Sequence, residues 1–513
     1  MKLRHFYLLA VLSITSYTSL ANNVTVTNVG ISGQNNALDF KLIDFDISWE
    51  NAWYINGGPN NWDAAWVFVK YRLKTENTWH HATLHYVDGT GAADGHTEPA
   101  NCNISSSNDN GAGGAHGVFI HRTDLGQGTV NFTGVKLRWD YGVDGLGDGD
   151  NVELCVIAIE MVYVPQGSFY VGSGGTEPGA FYTYPTVTNP YQINSESAIT
   201  VDTMAGNLYY SDSTNNSGDQ LGPIPAGFPK GYNDFYCMKY EITQSQYVDF
   251  LNKLTYVQQV TRTGVAPNSP AGTAAMTTYW PLSRNGIDIM TPGVSDHTPA
   301  VYACNLDDDT NYNELVDGQS IACNWLSSRD LGAYLDWAAL RPMTELEYEK
   351  AGRGKKAPVP SEYAWGNTFI TGPTILNNPG ENNEVAQPSA NCNGNGSITG
   401  PMRSGNFAQV ATTRVQAGAS YYGILELSGN LWERPVTVGY VVTRSFNGTN
   451  GNGVLGITGN ADQSTWPNVL GFRGGSYYDF PSNSLRLAHR GTAAYWSEER
   501  EPHWGGRGCR LAP

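Results

Sequence analysis

The feature that most constrains this chain is its closing stretch, Gly471 to Ala512, which reads GFRGGSYYDFPSNSLRLAHRGTAAYWSEEREPHWGGRGCRLA. It holds six arginines (Arg473, Arg486, Arg490, Arg500, Arg507, Arg510), many aromatics and no lysine. The bias reaches further back, because ten arginines follow Gly354 and no lysine follows Lys356. Solubility is served equally by either base. Arginine alone points to planar, bidentate or stacked roles inside a compact domain, so these side chains are expected to be structural.

Three pieces of the stretch, Arg473-Gly474-Gly475-Ser476, Leu485-Arg486 with Arg490, and Gly505-Gly506-Arg507, resemble the closing motifs of the formylglycine-generating enzyme family, also called the sulfatase-modifying factor domain. Gly506 stands where that family has phenylalanine. Met161 to Phe169 (MVYVPQGSF) is similar to the family's opening, and Leu340 to Glu349 (LRPMTELEYE) to its central motif, so the resemblance spans Met161 to Ala512. It implies an α+β domain related to the C-type lectin fold. In the family's oxidases two cysteines follow the serine by three and eight residues and hold copper; here those places are Asp479 and Ser484. Soft Cu(I) prefers thiolates, so copper is not expected and the balance leans away from an enzyme. The tail also resembles the diversified ends of variable proteins served by retroelements.

With 513 residues the chain is long enough for two or three domains, and 59 glycines with 30 tyrosines suit short strands and long ordered loops. A formal charge of -17 argues against nucleic acid or an anionic membrane surface as partner. Residues 1–21 have the look of a signal peptide, with Lys2, Arg4 and His5 before an apolar run and Ser19-Leu20-Ala21 at its end. No later run is long enough for a transmembrane segment, so the protein is expected to be exported, to the periplasm, cell surface or exterior of a bacterium. Export makes the seven cysteines disulfide candidates. Cys304 with Cys323 and Cys102 with Cys155 are the inviting pairs; spacing does not assign Cys237, Cys392 or Cys509.

Residues 22–157 run strand after strand, with alternating or apolar segments such as Leu38 to Ile47, Trp66 to Tyr71 and Val135 to Trp139. They predict an all-β sandwich domain preceding the α+β domain of residues 158–513. A polar insertion interrupts the latter at about residues 170–230. Helices are predicted after Thr243, whose capping box partner is Gln246, after Ser327, and after Thr344 with Glu347. Glu345 and Glu349 near that last start are expected to serve the cap and the helix dipole.

Two places look able to hold calcium. By resemblance, the segment Glu426 to Glu433 (ELSGNLWE) implies ligation through the Glu426 and Glu433 side chains and the Gly429 and Leu431 carbonyls, with Asn377 opening a second family site upstream. The alternative is that Glu433 pairs with an arginine. The other place is the loop after Cys304, where Asn305, Asp307, Asp309 and Asn311 alternate as in a short EF-type loop. Thr310 occupies that loop's glycine position and no glutamate closes it at the usual distance, so a solvated acidic loop is the competing reading.

No nucleophile elbow, zinc-protease motif or phosphate loop is present. The preferred reading is a secreted, non-catalytic binding or interaction protein for an unknown protein or glycan ligand. Its ligand face would combine Ser476, Tyr477, Tyr478, Asp479, Phe480, Ser484, Tyr495, Trp496, His503 and Trp504, although such aromatics also pack closing loops. The alternatives are an oxidoreductase, either formylglycine-generating or a cysteine-free relative, and a structural subunit of an envelope or surface assembly.

Overall fold

A computed structural model describes residues 23–513 apart from 89–92, 112, 213, 280, 388, 410, 480 and 481. The segment 1–21 and Phe480 therefore lie outside the described residues. Among the described residues the regular structure is mostly strand, with four short α-helices, and none of the helices is long and apolar enough to cross a membrane.

Up to Val164 every regular element among the described residues is a strand. The central one, Asn61–Leu73, is buried on both faces, which is why its sequence runs apolar instead of alternating. Ala65, Val67, Val69 and Tyr71 join a core with Ile43, Phe45, Ile47 and Trp49 of the strand Phe40–Ile55. Ala64, Trp66 and Phe68 point the other way, into the large core shared with the helices. This strand pairs along its length with Val152–Val164, from Val152 opposite Leu73 to Val162 opposite Asp63. The far end of Val152–Val164 pairs in turn with Phe235–Met238, and beyond that lie Gly508–Leu511 and Arg341–Pro342. One ladder thus connects the first strands to the last.

Polar ties cross the same seam. Lys239 reaches Asp63 at 3.1 Å and Glu160 at 2.9 Å, and Arg510 pairs with Asp109 while stacking on Trp66 at 4.2 Å. The Trp66 indole donates to the Ala338 carbonyl at 2.8 Å.

The helices are α1 (Gln244–Leu251), α2 (Tyr256–Arg262), α3 (Ser328–Trp337) and α4 (Glu345–Arg353). Each opens with a complete capping box, at Thr243, Thr255, Ser327 and Thr344. Three sit where the sequence places them; α2 is an addition. Glu345 and Glu349 do more than complement the α4 dipole. Glu345 accepts Arg490 Nε at 2.6 Å and Arg473 Nη1 at 3.0 Å, and Glu349 accepts Arg473 Nη2 at 2.9 Å and Arg353 Nη1 at 3.1 Å. The arginines of the closing stretch are what α4 is clamped by, and Arg473, Arg490, Arg507 and Arg510 are all buried. Arg490 also stacks on Phe181 at 3.9 Å and Tyr210 at 4.3 Å, which pins the polar insertion, itself folded into short strand pairs, against the core.

Neither expected disulfide is formed, and all seven cysteines carry free thiols. Cys102 and Cys155 lie on strands separated by two others, Val118–Arg122 and Asn61–Leu73, roughly 14 Å at ordinary strand spacing and beyond the reach of a disulfide. Cys304 and Cys323 are both buried, and the Cys323 thiol turns to the Asn324 carbonyl at 3.7 Å. The two thiols that do face each other across neighbouring strands are Cys237 and Cys509.

Candidate functional site

The segment from Ser476 to Ser484 is shaped by one side chain. Asp479 folds back so that its Oδ2 accepts the Ser476 N–H at 2.8 Å and the Ser476 hydroxyl at 2.7 Å. Ser476 is buried, and Ser484 lies in the short 3-10 turn Ser482–Leu485. The two positions offer a capped carboxylate and a hydroxyl where copper would require two thiolates, so they do not fit that metal. A thiol, Cys392, packs with Leu485, Tyr363 and Trp365; it donates to the Ser428 carbonyl at 2.8 Å, and burial pushes its pKa well up. A thiol held protonated in this way is inert.

The aromatics divide into two sets. Trp504 is buried against Trp432 and Phe472, with the Arg434 guanidinium over Phe472 at 4.1 Å and over Trp504 at 4.9 Å. Tyr477 is also buried, its hydroxyl donating to the Pro502 carbonyl at 3.2 Å. Ser476 and Trp504 are thereby packing residues and not part of an open ligand face, while Tyr477, though largely buried, still lines a cleft. The exposed set is Tyr478 at 72 %, Tyr495 at 43 % and Trp496 at 64 %. Tyr478 stacks on His503, ring centroids 5.4 Å apart, which holds the tyrosine outward in one orientation. Burial lowers the His503 pKa, so its ring is a neutral platform.

These side chains border two clefts. One, of about 690 Å³, is lined by Tyr279, Trp325, Tyr477, Tyr478 and the run Glu498 to Pro502. The other, of about 590 Å³, is lined by Tyr440, Val441, Val442, Tyr495 and Trp496 and is largely apolar. Glu498 lines both, so the segment 495–502 forms a ridge between them. Arg500 anchors the ridge with a two-point contact to Asp330 of α3, at 2.7 and 2.9 Å. Of the cleft residues, Tyr279, Tyr440, Val441 and Val442 carried no sequence signal, because only the fold brings them beside the tail.

Behind the ridge is a buried acidic cluster. Residues 426–430 wind tightly, with positive φ at Glu426, Gly429 and Asn430. A Cβ on Gly429 would meet Cys392 Sγ at 2.3 Å, so that position requires glycine. Glu426 Oε1 accepts the Gly405 N–H at 2.7 Å, Glu433 pairs with Arg507, and Glu241 accepts from Asn430 and from the Leu431 N–H at 2.9 Å. One oxygen each of Glu426 and Glu433 is buried without a partner. Burial raises all three carboxyls, Glu426 to about 7. Two orphaned oxygens in an all-oxygen setting fit a hard divalent cation, with Arg507 as its competitor. Asn377 stands apart on an exposed two-residue strand paired with Val385–Ala386.

In the loop after Cys304, the carboxylates of Asp307, Asp309 and Glu314 come within 4.8 Å of one another. Asn311 instead donates its backbone N–H to Asp309 at 2.5 Å.

The family model for the sulfatase-modifying factor enzyme 1-like domain matches residues 153–507. No curated protein matches the chain. Among solved structures, the Major Tropism Determinant U1 Variant is similar at 12% identity and a TM-score of 0.22, over 68% of this chain and 72% of that one. A score that low carries no structural argument.

Proposed function

Because this chain belongs to the sulfatase-modifying factor enzyme 1-like domain family, we propose that it is an exported binding protein that has kept the family's scaffold without its copper chemistry. The observation that carries the reading is the pairing of an Asp479 carboxylate, tied to Ser476 where the family's oxidases have a cysteine, with a ridge of exposed, oriented aromatics between two clefts. Tyrosine and tryptophan held in place lose little entropy on binding, which suits them as anchors for a glycan ring or a protein side chain. Residues 22–157 are read as a β-sandwich that braces this domain. Calcium, held by the Glu426 and Glu433 side chains and the Gly429 and Leu431 carbonyls, would neutralise the buried cluster and fix the loop behind the ridge.

Two measurements test the proposal. The purified protein is screened on a glycan array and against intact bacterial surfaces, and the double substitution Tyr478→Ala with Trp496→Ala is expected to weaken retention at least tenfold without lowering thermal stability. Separately, incubation with copper and a Cys-x-Pro-x-Arg peptide is followed by mass spectrometry. Aldehyde formation would overturn the non-catalytic reading, as would binding indifferent to the double substitution.

A further inference from the structure

From Asn285 to Ser328 the chain carries seven acidic residues and no lysine or arginine. The preceding base, Arg284, is committed to Glu384 and to the Pro401 carbonyl at 2.7 Å. Within this stretch the carboxylates of Asp307, Asp309 and Glu314 lie within 4.8 Å of one another on exposed side chains. Each such pair repels by about 1 kcal/mol even in bulk water, and by more beside a protein surface.

The exposed triad is not alone. Asp317 beneath it is fully buried; its Oδ2 accepts the Glu314 N–H at 2.7 Å and its Oδ1 has no partner. A buried carboxylate oxygen left without a donor beneath three crowded carboxylates is a position where a cation would supply the missing partner. Asn305, only 3 % exposed, gives its Nδ2 to Asp288 at 2.9 Å and to the Asp309 carbonyl at 3.4 Å, which leaves its Oδ1 buried without a partner. The loop is held ready for a ligand, since Asn313 bonds twice to the Cys304 backbone, at 2.9 and 3.1 Å, and the Gly318 N–H bonds to Gly380 at 3.0 Å.

We propose that the Asn305–Asp317 loop is a calcium site, with Asp307, Asp309 and Glu314 supplying carboxylate oxygens at its mouth and Asp317 Oδ1 and Asn305 Oδ1 the two buried ones. Glu314 and Asp317 close the loop in place of the glutamate an EF-type loop would use. Only oxygen is on offer, from more groups than a tetrahedral site takes, which selects a hard and accommodating cation over zinc or copper. The neighbouring Cys304 thiol is pushed up by burial and is no thiolate ligand.

The test uses the full chain after chelator treatment. Terbium titration is followed by sensitised emission, for which Tyr312 lies inside the loop, and calcium by calorimetry. Calcium should displace terbium while equimolar magnesium does not. Asp309→Asn, at an exposed position, and Asp317→Asn should each weaken calcium binding at least tenfold. Tyr312→Phe should dim the emission and leave calcium affinity unchanged, and Glu426→Gln should not remove this site. No calcium heat in the unmodified chain, or heat abolished by Glu426→Gln and untouched by Asp309→Asn, would overturn the proposal.

Discussion

Glu426 is the side chain on which the chemistry behind the ridge turns. It shares a buried space with Glu241 and Glu433, and Arg507 is the base paired into that space. Burial, with the Glu433 charge adding to it, lifts the Glu426 carboxyl to about 7. The folded state therefore holds a proton that the unfolded chain releases near the ordinary glutamate value, and stability falls as pH rises from about 4.5 towards 7. The size of that fall is roughly 3 kcal/mol at about 1.4 kcal/mol per unit. Glu426→Gln should flatten the decline, seen in denaturant midpoints across that window, and added calcium should restore more stability on the neutral side in the unmodified protein than in the variant. A profile in which both proteins decline alike would remove Glu426 from the account. The tail arginines were legible as structural from the missing lysines, and Arg473, Arg490, Arg507 and Arg510 are buried. Trp504 and Tyr477 were not legible as packing residues, because Arg434 and Pro502, which cover them, are set by the fold and not by neighbouring sequence.

At the scale of elements, α4 is the piece that holds the tail. Its Glu345 takes Arg490 and Arg473 together, and both guanidinium groups are fully buried. Removing the charge strands two cations out of water, and breaking a buried pair in this way costs about 3–5 kcal/mol. Glu345→Gln should therefore lower stability by about that much and, by freeing Arg490 from its place over Phe181, speed amide exchange in the insertion at 170–230. Arg329→Gln is the comparison, since its pair with Glu498 is exposed at both ends and should change stability by less than about 1 kcal/mol. Helix starts were readable at Thr243 and Thr344 from capping signals that need only a neighbour three residues away, and after Ser327 from an apolar stripe. The mismatch of Cys102 and Cys155 was not, because cysteine spacing carries no record of the two strands that lie between them. A related substitution checks the caps themselves: Thr255→Ala on α2 removes the side chain that accepts from Gln258 and should cost about 1 kcal/mol, measured by chemical denaturation.

For the whole molecule the governing fact is that the strand Asn61–Leu73 has no solvent face. Its alternate residues belong to two cores, Trp66 to the one containing the helices and Val67 to the one containing Trp49 and Trp139. Its partner Val152–Val164 continues unbroken into the ladder that passes through Gly508–Leu511 and ends at Arg341–Pro342. The sequence showed two stretches of different texture and an apolar strand, and it gave no sign that one strand serves both, since a doubly covered strand and a strand in a separate core read alike. If the cores share a wall, neither can melt while the other stays intact, because losing either side exposes the same row of side chains. The full chain should then unfold in one calorimetric transition. Trp66→Ala and Trp139→Ala, each costing about 3–5 kcal/mol, should lower that same transition although they sit in different cores. Two resolved transitions, each moved by only one of the substitutions, would mean that the sheet joins its halves without coupling them.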